Sequence, residues 1–78
     1  MNLLQLKKGE SGIIKKVVCE KKLKQRLITM GFTQGAKVKL DKKAPLGDPI
    51  DFVVKDYHIS LRKTEAMCIE IEAVNSEK

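Results

Sequence analysis

"GAKVKLDKKAPLGDPIDFVVKDYHISL", residues 35–61, carries the fold of this chain in its spacing. Apolar and polar residues alternate from Ala36 onward: Ala36, Val38 and Leu40 stand against Lys37, Lys39 and Asp41. Ile50, Phe52 and Val54 repeat the pattern, and so do Tyr57, Ile59 and Leu61. A period of two is the mark of a strand with one buried face. Between the first two of these runs, Pro45, Gly47 and Pro49 turn the chain. Asp56 stands in the short connection between the second and third.

Working outward, "IEIEAV" (69–74) alternates again, with Ile69, Ile71 and Ala73 against Glu70 and Glu72. "GESGIIKKVV" (9–18) opens on turn residues and continues as a β-branched run through Ile13, Ile14, Val17 and Val18, which reads as a strand. "EKKLKQRLITMGF" (20–32) is the one clear helix. Leu23, Leu27 and Met30 recur at helical spacing on one face, and Glu20 and Lys24 are oppositely charged at i, i+4. Its start has no Ser, Thr, Asp or Asn cap, whereas Gly31 sits where a left-handed C-terminal cap is expected. "RKTEAMC" (62–68) is too short for a normal helix and suits a single helical turn. Only the tail "NSEK" reads as frayed.

Five short strands and one helix in 78 residues cannot form two packed sheets. A small, strongly bent β-barrel is the economical arrangement, because closure removes sheet edges. The helix between the first two strands would plug one end. Its Leu23–Leu27–Met30 face would pack on Val38, Leu40, Ile50, Phe52, Ile59, Leu61, Ile69 and Ile71, with Phe32 turned inward. Tyr57 shares parity with these core residues, and His58 points outward. A single domain spanning 1–78 follows from the length.

The net charge is +6, from 16 Lys+Arg against 10 Asp+Glu. That excess favours anionic partners, and lysine also keeps small sheet proteins soluble. No signal peptide is expected ahead of "KKGE" (7–10), and no apolar run approaches the roughly 20 residues of a membrane span. Cys19 and Cys68 form no close pair or C-x-x-C motif, so a reduced protein with two packed thiols is expected. Catalysis is not expected: His58 is the one histidine, and neither a nucleophile–base pair nor a glycine-rich phosphate loop is present. His58, Cys68 and nearby acids are too scattered in sequence for a dedicated metal site, so no metal or other cofactor is expected.

The motifs "RLITMGFTQGAKVKL", "APLGDPIDFVV" and "YHISLRKTEA", followed by an apolar strand, resemble the FeoA family, small cytoplasmic proteins of bacterial ferrous iron transport. The resemblance covers nearly the whole chain; Asp56 stands where many members have glycine. It implies an SH3-like β-barrel and a non-enzymatic accessory or regulatory role. It also implies a partner, the FeoB membrane iron permease with its cytoplasmic GTPase domain, and a membrane reached only through that partner. Kinship with the SH3-like domain of metal-dependent repressors is implied too, without their separate DNA-binding domain.

The candidate partner-binding residues are Pro45, Leu46, Gly47 and Asp48, with Lys42, Lys43 and Arg62 around them. A solvated turn has little use for a leucine. Either Leu46 folds back onto the barrel, or the prolines hold it out as a preorganised apolar peg with Lys42 and Lys43 as steering charges. The second reading is the expectation, since the core is already supplied with apolar residues. Arg62 is expected to brace the loop by pairing with Asp48 or Glu65. The rival class is nucleic-acid binding, for which the Lys-Lys pairs would supply phosphate contacts. Single-strand binders also need aromatic platforms. With Phe32, Phe52 and Tyr57 all expected in the core, no nucleic acid partner is expected. Nothing in the sequence sets the oligomeric state.

Overall fold

A computed structural model describes residues 1–74; the tail expected to fray, 75–78, lies outside the described residues. Five strands run in the order expected: β1 (Ser11–Val17), β2 (Lys37–Lys43), β3 (Ile50–Val54), β4 (Tyr57–Leu61) and β5 (Ile69–Ala73). Helix α1 (Lys21–Thr29) separates β1 from β2, and the single turn α2 (Lys63–Ala66) separates β4 from β5. All neighbours are antiparallel in one sheet of order β4-β3-β2-β1-β5.

The register follows the alternation read from the sequence. Leu40 stands opposite Phe52 across β2–β3, Phe52 opposite Ile59 across β3–β4, and Ile14 opposite Ile71 across β1–β5. Register shifts fall between Ile14 and Lys16 in β1 and between Leu40 and Lys42 in β2. Such bulges increase local twist and bend a strand, which lets one short sheet curl around a single core. Val38, Leu40, Ile50, Phe52, Leu61, Ile69 and Ile71 are buried as expected, with Ile59 packed partly buried against them.

Helix α1 seals the core with Leu27 fully buried and Leu23 and Met30 half-buried beside it. Glu20 supplies no side-chain cap, in line with the weak start in the sequence. The end is well defined. Gly31 N–H donates to the Ile28 carbonyl and Phe32 N–H to the Leu27 carbonyl, each at 3.0 Å, with Gly31 at φ +112°. These are the two bonds of a Schellman ending, and the buried pair Leu27 and Phe32 supplies its apolar contact. Gly31→Val should therefore destabilise the domain by more than about 1 kcal/mol, since a β-branched residue is strained at positive φ. Urea midpoints of Gly31→Val and wild type check this; unchanged midpoints would mean that the cap geometry contributes nothing.

Several expectations are corrected. The sheet is not closed: among the described residues β4 and β5 are its two edges and do not pair with each other. The N-terminal residues occupy the outer side of β5 instead. Ile71 N–H donates to the Met1 carbonyl at 2.7 Å, and Asn2 forms a bridge with Glu70. Leu3 and Leu6, absent from the expected core, are buried through this segment. A capping arrangement fixes it: Asn2 Oδ1 accepts from Leu4 N–H at 2.9 Å and Gln5 Oε1 accepts from Asn2 N–H at 2.8 Å.

Tyr57 is 69% exposed, not in the core. It follows a two-residue turn in which both Lys55 and Asp56 have positive φ, and it starts an edge strand with a neighbour on one side only. Buried Val38 and Val54 already fill that end of the core. Val18 stands exposed beyond the end of β1. Finally, Glu20 and Lys24 meet through the backbone bond that opens α1, and no ion pair between them is present among the described residues.

Candidate functional site

Residues 44–49, between β2 and β3, form a loop held by its own backbone. Gly47 N–H donates to the Ala44 carbonyl at 2.7 Å, closing a turn with Pro45 and Leu46 at its centre. Ala44 N–H donates to the Pro49 carbonyl at 3.0 Å, closing the neck. Proline at the second position and glycine at the fourth suit such a turn, and Gly47 takes φ +86°. Leu46 at the corner has its side chain thrown outward and is 93% exposed. Of the two readings of this leucine, folded back or held out, the geometry has it held out.

The loop is tied to the rest of the molecule through α2. Asp48 Oδ1 accepts from Lys63 N–H at 3.0 Å, satisfying one of the backbone donors that a helix start leaves open. Glu65 Oε1 accepts from Arg62 N–H at 2.9 Å, and Glu65 Oε2 accepts from Arg26 Nη2 at 2.6 Å. The single turn α2 thus grips the loop on one side and α1 on the other.

The expected Arg62 brace is corrected by these contacts. Asp48 is taken by a backbone N–H and Glu65 by Arg26, so the Arg62 guanidinium makes no ion pair among the described residues. It remains exposed beside Asp48 and Pro49. There it lines an open groove of about 610 Å³ with Leu23, Arg26, Pro49, Thr64 and Glu65. Lys42 and Lys43 are exposed at the end of β2, across the ladder from Asp51 and Ile50. Asp51 in turn accepts a hydrogen bond from Ser60. The structure therefore brings Leu46, Asp48 and Arg62 to one side of the domain.

Two cations at this site were not singled out in the sequence. The Lys63 side chain lies against Gly47, where an added Cβ would be 3.5 Å from its Nζ. Arg26 reaches the groove from α1. Neither signal is local: each depends on where α2 lands after β4. His58, read as outward, is exposed, with Nδ1 at 3.8 Å from Asp41 Oδ2. Among the described residues no three His, Cys, Asp or Glu side chains are grouped to hold a metal ion. No helix among them is long and apolar enough to cross a membrane.

A short antiparallel sheet bent around one core, sealed by one helix and bearing a hydrogen-bonded loop with an exposed leucine, defines a small SH3-like domain. The solved FeoA of Stenotrophomonas maltophilia in complex with zinc, described as a prokaryotic SH3 domain protein, is 26% identical with a TM-score of 0.82 over 92% of this chain and 89% of that one. The FeoA domain model matches residues 1–73, and the chain belongs to that family. Iron(II) transport protein A from Clostridium thermocellum is 39% identical with a TM-score of 0.91, over 96% of this chain and 46% of that one. A fusion of Fe(2+) transport protein A with the Fe(2+) transporter FeoB from Porphyromonas gingivalis is 34% identical over 76 residues, which are 97% of this chain and 9% of the fusion. The chain thus spans less than half the length of both these relatives. A manganese-dependent transcriptional repressor shares the fold alone, at 10% identity and a TM-score of 0.85.

Proposed function

We propose that this domain is a non-enzymatic accessory or regulatory partner of a bacterial ferrous iron transporter. It acts in the cytoplasm, where it docks on the cytoplasmic part of an FeoB-type permease through the Leu46 loop. One observation carries the reading: a large apolar side chain is almost wholly exposed on a loop held by backbone hydrogen bonds at its neck and turn and by the Asp48 side chain on α2. An ordered loop loses little conformational freedom on binding, so more of the contact energy appears as affinity. The fusion relative supports the choice of partner, since there the two proteins named in it share one chain.

Lys42, Lys43 and Arg62 complete the surface as the cationic rim of the leucine. Rim charges act mainly on encounter. Lys42→Glu combined with Lys43→Glu should slow association with the soluble cytoplasmic part of the permease several-fold at low salt and much less at high salt, where charges beyond a Debye length are screened. Association rates measured by biolayer interferometry at two ionic strengths test this. No binding by the wild-type domain at any salt would remove the proposed partner. Binding with unchanged association rates would remove the lysines from the interface.

A further inference from the structure

Cys19 and Cys68 are far apart in the sequence and close together in the fold. β1 and β5 pair with Val17 opposite Ile69, and beyond that rung Val18 N–H donates to the Cys68 carbonyl at 2.7 Å. In a regular ladder Cys19, one residue further on, would face away from Cys68, because successive side chains alternate. But β1 ends at Val17, and the chain bends at Cys19 on its way into α1. Both cysteine side chains are consequently half-buried against the same apolar core. The Cys68 Sγ lies 3.6 Å from the Thr64 carbonyl. Burial, then the adjoining Cys19 thiol, then the charge of Glu65 push the Cys68 pKa above its ordinary value. Both cysteines are free thiols in this structure.

We propose that Cys19 and Cys68 form a reversible intramolecular disulfide that ties the chain before α1 to the chain after α2. The Val18 bond to the Cys68 carbonyl leaves Cys19 one residue from the cross-strand neighbour of Cys68, and a disulfide needs a Cα separation of about 4.4–6.8 Å. The bond would add a covalent link between two elements already joined by Arg26 and Glu65. The oxidant is a low-molecular-weight disulfide. The Cys19 thiolate attacks one of its sulfurs, the oxidant's S–S bond breaks, and one thiolate leaves and takes up a proton. Cys68 gives its proton to solvent and attacks the Cys19 sulfur of the mixed disulfide, expelling the second thiolate. Two protein thiols are oxidised and one small disulfide is reduced to two thiols. Burial slows the second step at neutral pH, since only the thiolate attacks.

The experiment equilibrates the folded protein with glutathione buffers of increasing oxidised fraction, quenches with N-ethylmaleimide and weighs the intact chain. The expected product is a monomer lighter by two hydrogens that takes up no maleimide and returns to the dithiol with dithiothreitol. Cys19→Ser and Cys68→Ser should each stop at the mixed disulfide with glutathione. The folded chain should form the intramolecular bond at least about tenfold more favourably than the same chain unfolded in urea, because folding raises the effective concentration of the two thiols. A wild-type protein that stays a dithiol, stops at a mixed disulfide or gives only covalent dimers overturns the proposal. An equilibrium constant no greater than that of the unfolded chain does the same.

Discussion

Leu27→Ala is expected to remove about 2–5 kcal/mol of folding stability, the range for deleting a fully buried leucine side chain. Leu27 has 0% exposure and lies where the helix closes the core. Its carbonyl accepts the Phe32 N–H that ends α1, and its side chain and that of Phe32 are buried together. Truncation leaves a cavity under the helix and weakens the apolar contact of its cap. Small domains hold only about 5–15 kcal/mol in total. At about 4–8 °C per kcal/mol for a domain of this size, the melting temperature should fall by about 10 °C or more. A fall of only a degree or two would mean that α1 does not seal the core through this residue.

Leu46→Ala should do the opposite. The side chain is 93% exposed, so little apolar contact is lost and the melting temperature should stay within about 2 °C of wild type. Affinity for the cytoplasmic part of the permease should drop by about tenfold or more. That corresponds to about 1.4 kcal/mol, below the roughly 1.5–3 kcal/mol for burying a leucine completely. Calorimetric melts and equilibrium binding on the same two samples separate the effects. A variant that melts early yet binds normally would return Leu46 to the core and end its role as an anchor. Together with the results for Leu27, these outcomes would assign one leucine to stability and the other to recognition.

What the sequence made legible was local. Strand parity is set within a few residues, so Val38, Leu40, Ile50 and Phe52 could be assigned to the inner face before any partner strand was known. The glycine after Met30 identified the helix end for the same reason. The exposed leucine was expected because the strands and helix already supplied the core; Pro45 and Gly47 fit either reading of it. Tyr57 shows the limit of parity: alternation says which face a residue takes, not whether the core extends that far along an edge strand. The Arg26–Glu65 pair depends on two helices meeting, and no spacing along the chain encodes that contact. The juxtaposition of Cys19 and Cys68 depends likewise on the β1–β5 register. Leu3 and Leu6 were a different case. Asn2 and Gln5 have the spacing of a capping pair, but a turn so short carries no periodicity to draw attention to it.

The backbone contacts that Met1 and Asn2 make along β5 also bear on the exposure of the sheet's edge. An uncovered strand edge is a template for another chain, and β5 would offer one, with Ile69 and Ile71 on an alternating run. The first residues act as a guard strip over it. The β4 edge has different protection, with the exposed polar side chains of His58 and Ser60 along a strand of five residues. A shortened N-terminus would bare the β5 template while leaving the net charge of +6 almost untouched. Cover of the β5 edge therefore resides in two backbone contacts made by Met1 and Asn2.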